Sequence, residues 1–383
     1  RMIVSMAYPT VYIQEPNILR EAGDWLGKYG SRLFVVSGHR AWRKAGASVE
    51  QSLKAAGLFF KVCRFQGSCT YAEAERIRAL IPKGTDLIVA VGGGQCMDTA
   101  KLVAARAGLP VATIPTLAST CASTTPLSIM YDGEHRYVGV EYYDRCPVLT
   151  LVDTGVIAEA PYRYLIAGIG DALAKWYEAY PINEGKSLDA RTRLGLKIAE
   201  LARDLLLEHG EQAISENKQG KAGLAIRQII DVNIYYAGLV GGIGHYTCRG
   251  SAAHSFHNGM VGIIQGIDQM YHGEIVAFGI LCQLVLEGKP LEEIVELIKF
   301  YLSIRLPVSF YDLHVKELKE DELRASARSI CHPSQNIHLL PFSVTEEMVY
   351  QAMMDAHRLG EQVKAERTLK PLYWNDGPIG ASG

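Results

Sequence analysis

Four residues beyond position 160 have side chains suited to holding a metal. Asp171 lies in "AGIGDALAKWYEA", His254 and His257 in "AAHSFHNGM", and His272 in "YHGE". One carboxylate with two imidazoles is a common ligand set for a catalytic divalent ion that keeps a position open for water or substrate. The three segments are too far apart for a short-range motif, so spacing alone also allows isolated, hydrogen-bonded polar groups. Lys175 follows Asp171 at i+4 and shares its helix face. Its ammonium cannot ligate a metal; it either pairs with Asp171 or Glu178 or reaches a cleft to meet an anionic substrate. His257, three residues beyond His254, is either a core histidine or a partner of the site that hydrogen-bonds a cofactor or relays a proton.

A second constellation is the glycine turn in "VAVGGGQCMDTAK". Gly92, Gly93 and Gly94 follow a strand-like run and precede a helix-like one, which aims backbone N–H groups and the helix dipole at an anion such as a phosphate. Asp98 and Lys101 in the helix that follows need partners, either each other or a ligand. Soon after comes "STCASTTPLS" (119–128), hydroxyl-rich and broken by Cys121. No base stands nearby to activate that thiol, so nucleophilic catalysis is not indicated.

The elements that must position these residues divide in two. Up to about residue 150, β-branched runs alternate with amphipathic stretches, the pattern of parallel strands joined by helices. Strands are expected at 32–38, 60–65, from Asp86 to the glycine turn, in "LPVATIPT" and at 147–153. Helices are expected at 46–58, at 70–82 behind a Thr70 N-cap, and from the glycines to about Ala107. Beyond "EAPYRY" (159–164) the texture turns to long helical periodicities, with "SENKQGKAG" (215–223) as a polar connection. The expectation is an α/β domain over 1–159 and an all-helical domain over 160–383, with a ligand cleft between them.

At 383 residues the chain exceeds the usual single core. With 48% hydrophobic residues and a net charge of −2, it has no basic excess for nucleic acid. No apolar run reaches the ~20 residues that span a bilayer. The eight scattered cysteines, without a CxxC pair, suit reduced thiols, and a cytoplasmic protein is expected.

The pattern GGGxxxDxAK, followed by "IPTLAST", resembles the iron-containing, or group III, alcohol dehydrogenases and their glycerol-dehydrogenase branch. The likeness continues through "LVDTGVIAEAPYRYLIAGIGDALAKWYEA", "AAHSFHNGM" and "YHGEIVAFGI". It implies a Rossmann-like dinucleotide domain followed by a helical metal-binding domain, the architecture shared with dehydroquinate synthases. Gly94, Asp98, Thr116, Ser119, Thr125, Leu127 and Tyr131 then fall on cofactor-contacting positions, with Gly93, Gln95, Cys96, Met97, Lys101 and Leu117 counted beside them. Asp171, His254 and His272 fall on the metal positions. Many iron-dependent relatives have DxxxH where this chain has Lys175, so a three-ligand, zinc-like site is expected, with iron as the alternative. His257 matches a histidine that supports the site from behind the ligands. By the same likeness, members are dimers or larger rings and a homo-oligomer is expected.

Two departures from the glycerol type shape the expected specificity. Gly38 stands where those enzymes carry the aspartate that accepts ribose hydroxyls, and His39 and Arg40 beside it suit a 2′-phosphate, favouring NADP(H) over NAD(H). Cys121 stands where they carry an aspartate for polyol hydroxyls. With that acid lost and Lys175 gained, an anionic substrate is favoured. The combination resembles bacterial hydroxycarboxylate dehydrogenases, which act on 2-oxo and 2-hydroxy acids. The alternatives are a glycerol, polyol or alcohol dehydrogenase and a dehydroquinate-synthase-like lyase. The lyase needs a basic phosphate pocket, for which only Lys175 and Arg249 lie near the ligand segments.

Overall fold

A computed structural model describes residues 11–134 and 136–368. The strands are β1 (Tyr12–Glu15), β2 (Arg32–Ser37), β3 (Phe59–Arg64), β4 (Leu87–Gly92), β5 (Val111–Pro115), β6 (Leu127–Tyr131), β7 (Tyr137–Tyr142) and β8 (Leu149–Asp153). Among them run helices α1 (Ala22–Leu26), α2 (His39–Ala55), α3 (Tyr71–Arg78) and α4 (Gly94–Ala107). The rest of the chain is helical: α5 (Thr154–Ala158), α6 (Tyr162–Asn183), α7 (Ala190–Lys218), α8 (Leu224–Asp231), α9 (Ala237–Gly244), α10 (Ala252–Met260), α11 (His272–Leu286), α12 (Leu291–Ile304), α13 (Glu320–Ile330) and α14 (Glu346–Thr368). None of the described helices is long and apolar enough to cross a membrane.

Six strands form a parallel sheet in the order β1-β8-β5-β4-β2-β3. β4 is buried on both faces, and the two-residue side-chain period sends Leu87, Val89 and Val91 to one face and Ile88 and Ala90 to the other. The first set packs with Ala45, Val49 and Leu53 of α2; the second packs with Ile77 of α3 and Met97, Ala100 and Val103 of α4. A sheet covered on both faces by connecting helices is the expected Rossmann-like arrangement. Thr70 accepts a hydrogen bond from the Glu73 N–H and starts α3 as expected. The β6–β7 antiparallel hairpin and strand β1 were not foreseen, and α2 begins at His39 instead of near residue 46.

The helical part has its own large core, built chiefly from α6, α10, α11 and α14. Ala118 and Val152, from the sheet-bearing part, belong to the same apolar cluster, so the seam is packed. The expected division at 159/160 falls between α5 and α6. All eight cysteines are free.

Candidate active site

Three helices meet where the sequence placed the ligand set. Asp171 lies within α6, His254 is in the first turn of α10, and His272 is the first residue of α11. Asp171 Oδ1 is 3.3 Å from His254 Nε2 and 3.6 Å from His272 Nε2, with one ligand atom from each residue within 4.8 Å of the others. Asp171 Oδ1 is buried and makes no hydrogen bond of proper geometry, although two imidazoles and an ammonium face it. An orphaned buried carboxylate oxygen opposite two nitrogen donors fits a divalent cation.

The groups behind the ligands set which ring nitrogen faces inward. His254 Nδ1 lies 2.7 Å from Glu178 Oε2, and His272 Nδ1 lies 3.0 Å from His257 Nε2. His257 Nδ1 is in turn 3.1 Å from Asn258 Oδ1. With both Nδ1 atoms engaged, both Nε2 atoms remain for a metal. His257 therefore lies behind His272, on the side of the ring away from Asp171. Glu178 was missed as a site residue. Its signal was legible: it lies seven residues after Asp171 on the same face of α6, and a buried glutamate needs a partner.

Burial would raise the Asp171 pKa, but Lys175, His254 and His272 hold it well below the usual carboxylate range. Burial would lower His254, and the Glu178 and Asp171 carboxylates overcome this and hold it at about 9. Burial opposes the Lys175 charge as well, yet Asp171 keeps that pKa raised. His257 is pushed well down, first by burial and then by His272, so it is neutral near pH 7.

Lys175 Nζ lies 3.5 Å from Asp171 Oδ1. Cys121 is partly buried against the helical core, and burial raises its thiol pKa while the Lys175 charge opposes the rise. Thr124 and Asn233 tie the loop carrying Cys121 to a π-helical turn over Val232–Tyr236. Thr124 Oγ1 donates to the Ile234 carbonyl at 2.7 Å, and Asn233 Nδ2 to the Ala118 carbonyl at 2.9 Å. Arg249 is held by the helical part and by β7 and lines a cleft that it shares with Lys186. Its Nε donates to the Gly241 carbonyl at 2.9 Å and its guanidinium lies over Tyr142.

The glycine turn lies at the C-terminal end of β4. Gly93 precedes α4, leaving the N–H groups of Gly94, Gln95 and Cys96 without intrahelical partners. A Cβ on Gly93 would come within 3.2 Å of Leu117 Cδ1, and one on Gly94 within 3.1 Å of Thr120 Oγ1, so the loop after β5 closes tightly over the turn. Thr116 and Ser119 are on this loop; Thr116 N–H donates to the Gly92 carbonyl at 2.9 Å. Several side chains expected at a cofactor turn inward instead. Cys96 and Met97 pack in the core beneath the sheet. Lys101 pairs with Asp98 at 2.8 Å and donates to the carbonyls of Ala122, Thr125 and Leu127 and to Thr125 Oγ1. The Lys101 ammonium thereby holds β6 and the preceding loop to α4. The Asp98 carboxylate also accepts the Ile129 N–H at 3.2 Å through Oδ2, while its buried Oδ1, beside Lys101, makes no hydrogen bond of proper geometry. The Leu127 carbonyl is engaged with Lys101, and the Tyr131 N–H donates to Cys69 at 2.9 Å.

Gly38 is the N-cap of α2, directly after β2. A Cβ there would meet only Phe65, at 4.0 Å, and both His39 and Arg40 are exposed. Space and positive charge thus stand where a ribose-binding carboxylate was expected to be missing.

The chain is similar to known dehydrogenases. The profile of the iron-containing alcohol dehydrogenases matches residues 9–154. A glycerol dehydrogenase of Citrobacter freundii is 34% identical over 94% of this chain and 99% of its own length. Hydroxycarboxylate dehydrogenase A of Escherichia coli K12 is 32% identical over 90% of this chain and 94% of its own. The crystal structure of glycerol dehydrogenase from Schizosaccharomyces pombe superposes with a TM-score of 0.90 at 28% identity, covering 97% of this chain and 94% of that one.

Proposed function

We propose, since this chain belongs to the iron-containing alcohol dehydrogenase family, that it transfers hydride between NADP(H) and a small 2-oxo or 2-hydroxy carboxylic acid. That it is an oxidoreductase of alcohols and carbonyls, in a family that binds a metal and NAD(P), follows from the family. The finer reading rests on the Lys175 ammonium, 3.5 Å from Asp171 and close enough to Cys121 to oppose its burial shift. Asp171, His254 and His272 would hold one divalent ion, zinc in preference to iron because Lys175 cannot serve as a fourth ligand. When bound, that ion polarises the substrate oxygen and lowers the pKa of an alcohol there.

The protein's own groups do the rest. The N–H groups of Gly94, Gln95 and Cys96 face a dinucleotide phosphate, and Gly38 and Arg40 leave room and charge for a 2′-phosphate. His257 accepts the His272 Nδ1 proton at its Nε2 and keeps its own Nδ1–H on Asn258, which holds the His272 ring in place. Lys175 orients a substrate carboxylate, and an uncharged Cys121 does not repel it. A polyol is the second reading, favoured by the glycerol dehydrogenases among the similar proteins.

One experiment separates them: zinc- and iron-loaded protein is assayed with 2-oxobutanoate, 2-oxoglutarate and glycerol, using NADPH with the acids, NADP+ with glycerol, and the NAD(H) equivalents of each. The expected outcome is reduction of the 2-oxo acids with NADPH preferred, and a KM for the acid raised about 10- to 100-fold by Lys175→Met, the worth of one hydrogen bond to a charged group. Turnover of glycerol alone, or an unchanged KM in Lys175→Met, overturns the carboxylate reading. Equal use of NADPH and NADH overturns the cofactor preference.

A further inference from the structure

Glu178 is among the most enclosed acids in the protein, its side chain 1% exposed, and it touches neither the cofactor turn nor the open side of the triad. Its two oxygens are nevertheless fully committed. Oε1 accepts the backbone N–H groups of Ser251 and His254, each at 2.8 Å, and Oε2 faces His254 Nδ1 at 2.7 Å. Ser251 is the N-cap residue of α10 and its own side chain caps nothing there, since its Oγ bonds the Glu178 carbonyl at 3.3 Å. A carboxylate from α6 thus closes the N-terminus of α10 and grips the imidazole that α10 carries.

We infer that Glu178 is a positioning residue for the metal centre: it couples the cap of α10 to the tautomer of His254, so that Nε2 is presented unprotonated to a divalent ion. Two backbone N–H groups converge on Oε1 and the His254 ring on Oε2, an arrangement in which an ionised carboxylate accepts on both oxygens. Against a carboxylate His254 Nδ1 donates, so that once the second ring proton has given way to a metal the lone pair falls on Nε2, opposite Asp171. Metal-ligating histidines owe their orientation and basicity to such partners. The inference rests on the triad holding a metal and is independent of the substrate.

Glutamine makes the distinction sharp, because it keeps the volume of Glu178 and loses one acceptor. If its oxygen caps α10, its NH2 group meets the Nδ1–H as donor against donor. Relief then requires the proton to move to Nε2, where a metal would sit. The test is zinc affinity by competition with a chromophoric chelator, on the parent first and then on Glu178→Gln, with the melting temperature of each protein before and after zinc loading. Expected is a loss of about 10- to 100-fold in zinc affinity, so that zinc raises the melting temperature of Glu178→Gln less than that of the parent, whatever the lost ion pair with His254 costs the metal-free form. Zinc affinity within twofold of the parent overturns the inference.

If the glutamine variant does not fold, the parent decides the matter. Histidine-selective 15N NMR of the zinc-loaded protein should find the His254 proton on Nδ1, and an unprotonated Nδ1 overturns the inference. A parent that binds no zinc or iron at all defeats the metal reading itself, which the first titration reveals separately.

Discussion

His254 stands between two carboxylates, and that makes its proton a competitor of the metal. Burial works against the imidazolium, but Glu178 and Asp171 overcome it and hold the pKa at about 9, against about 6.5 in an unfolded chain. Because the folded value is the higher one, the proton stabilises the metal-free fold fully below about pH 6.5. That contribution fades as pH rises through about 9. Zinc requires Nε2 without its proton, so the same group opposes metal at low pH. Zinc affinity should climb with pH across this window, approaching tenfold per unit, and level off near pH 9. Chelator competition at several pH values measures it, and a flat profile would mean that the metal-free protein already holds His254 neutral. Lys175 adds to the same balance, since its charge shares Asp171 with both imidazoles.

At the scale of elements, the ligand spacing depends on how closely α6 and α11 cross. Gly170 and Gly273 lie at the crossing, next to Asp171 and His272. A Cβ on Gly273 would fall 1.8 Å from the Ala167 carbonyl oxygen, and one on Gly170 2.2 Å from the Gly273 carbonyl oxygen. Those neighbours are backbone and cannot swing aside. Gly273→Ala should therefore force the helices apart, destabilising the protein by about 1–3 kcal/mol and weakening zinc binding, read by thermal melting and chelator competition. Preserved zinc affinity would show that the ligands adapt to a wider crossing. Such a contact is not legible in sequence, because its two glycines belong to distant segments and nothing local marks them as partners. Five of the six strands of the parallel sheet and the glycine turn were legible: β2 and α4 follow from an apolar run and a glycine stop. The start of α2 was hidden because "HRAWRK" reads as polar, although Trp42, Ala45 and Val49 fall on one helical face. β1 and the β6–β7 hairpin are short and only partly buried, so they lack the continuous apolar run that announces a central strand. The ligand triad depended on resemblance for the same reason as the glycine crossing, whereas Glu178 was open to the i+7 argument.

Across the whole molecule, hydride transfer needs the glycine turn of the sheet and the triad of the helices held in fixed relation. Much of that relation is set on the far edge of the sheet, where β1 meets α8. Asp231 Oδ1 accepts Tyr12 OH at 2.8 Å and Gln14 Nε2 at 2.6 Å, Arg227 Nε donates to Gln14 Oε1 at 2.9 Å, and Tyr12 stacks on Tyr235 with ring centroids 4.5 Å apart. The π-helical turn that follows α8 then holds the Cys121 loop through Asn233 and Thr124. Asp231→Ala leaves a partly buried phenol and an amide short of an acceptor, which costs about 1–3 kcal/mol. All three candidate metal ligands lie in helices α6, α10 and α11, away from this seam, so zinc affinity should be unchanged in the same variant. Turnover should fall, because the cofactor turn and the Cys121 loop lose part of their registry with the triad. Thermal melting, chelator competition and steady-state kinetics on one preparation give the three readings. A parallel loss of zinc affinity would mean that the seam shapes the metal site itself, and undiminished kcat/KM would mean that the packed Ala118 and Val152 contacts keep the two parts aligned without the polar latch.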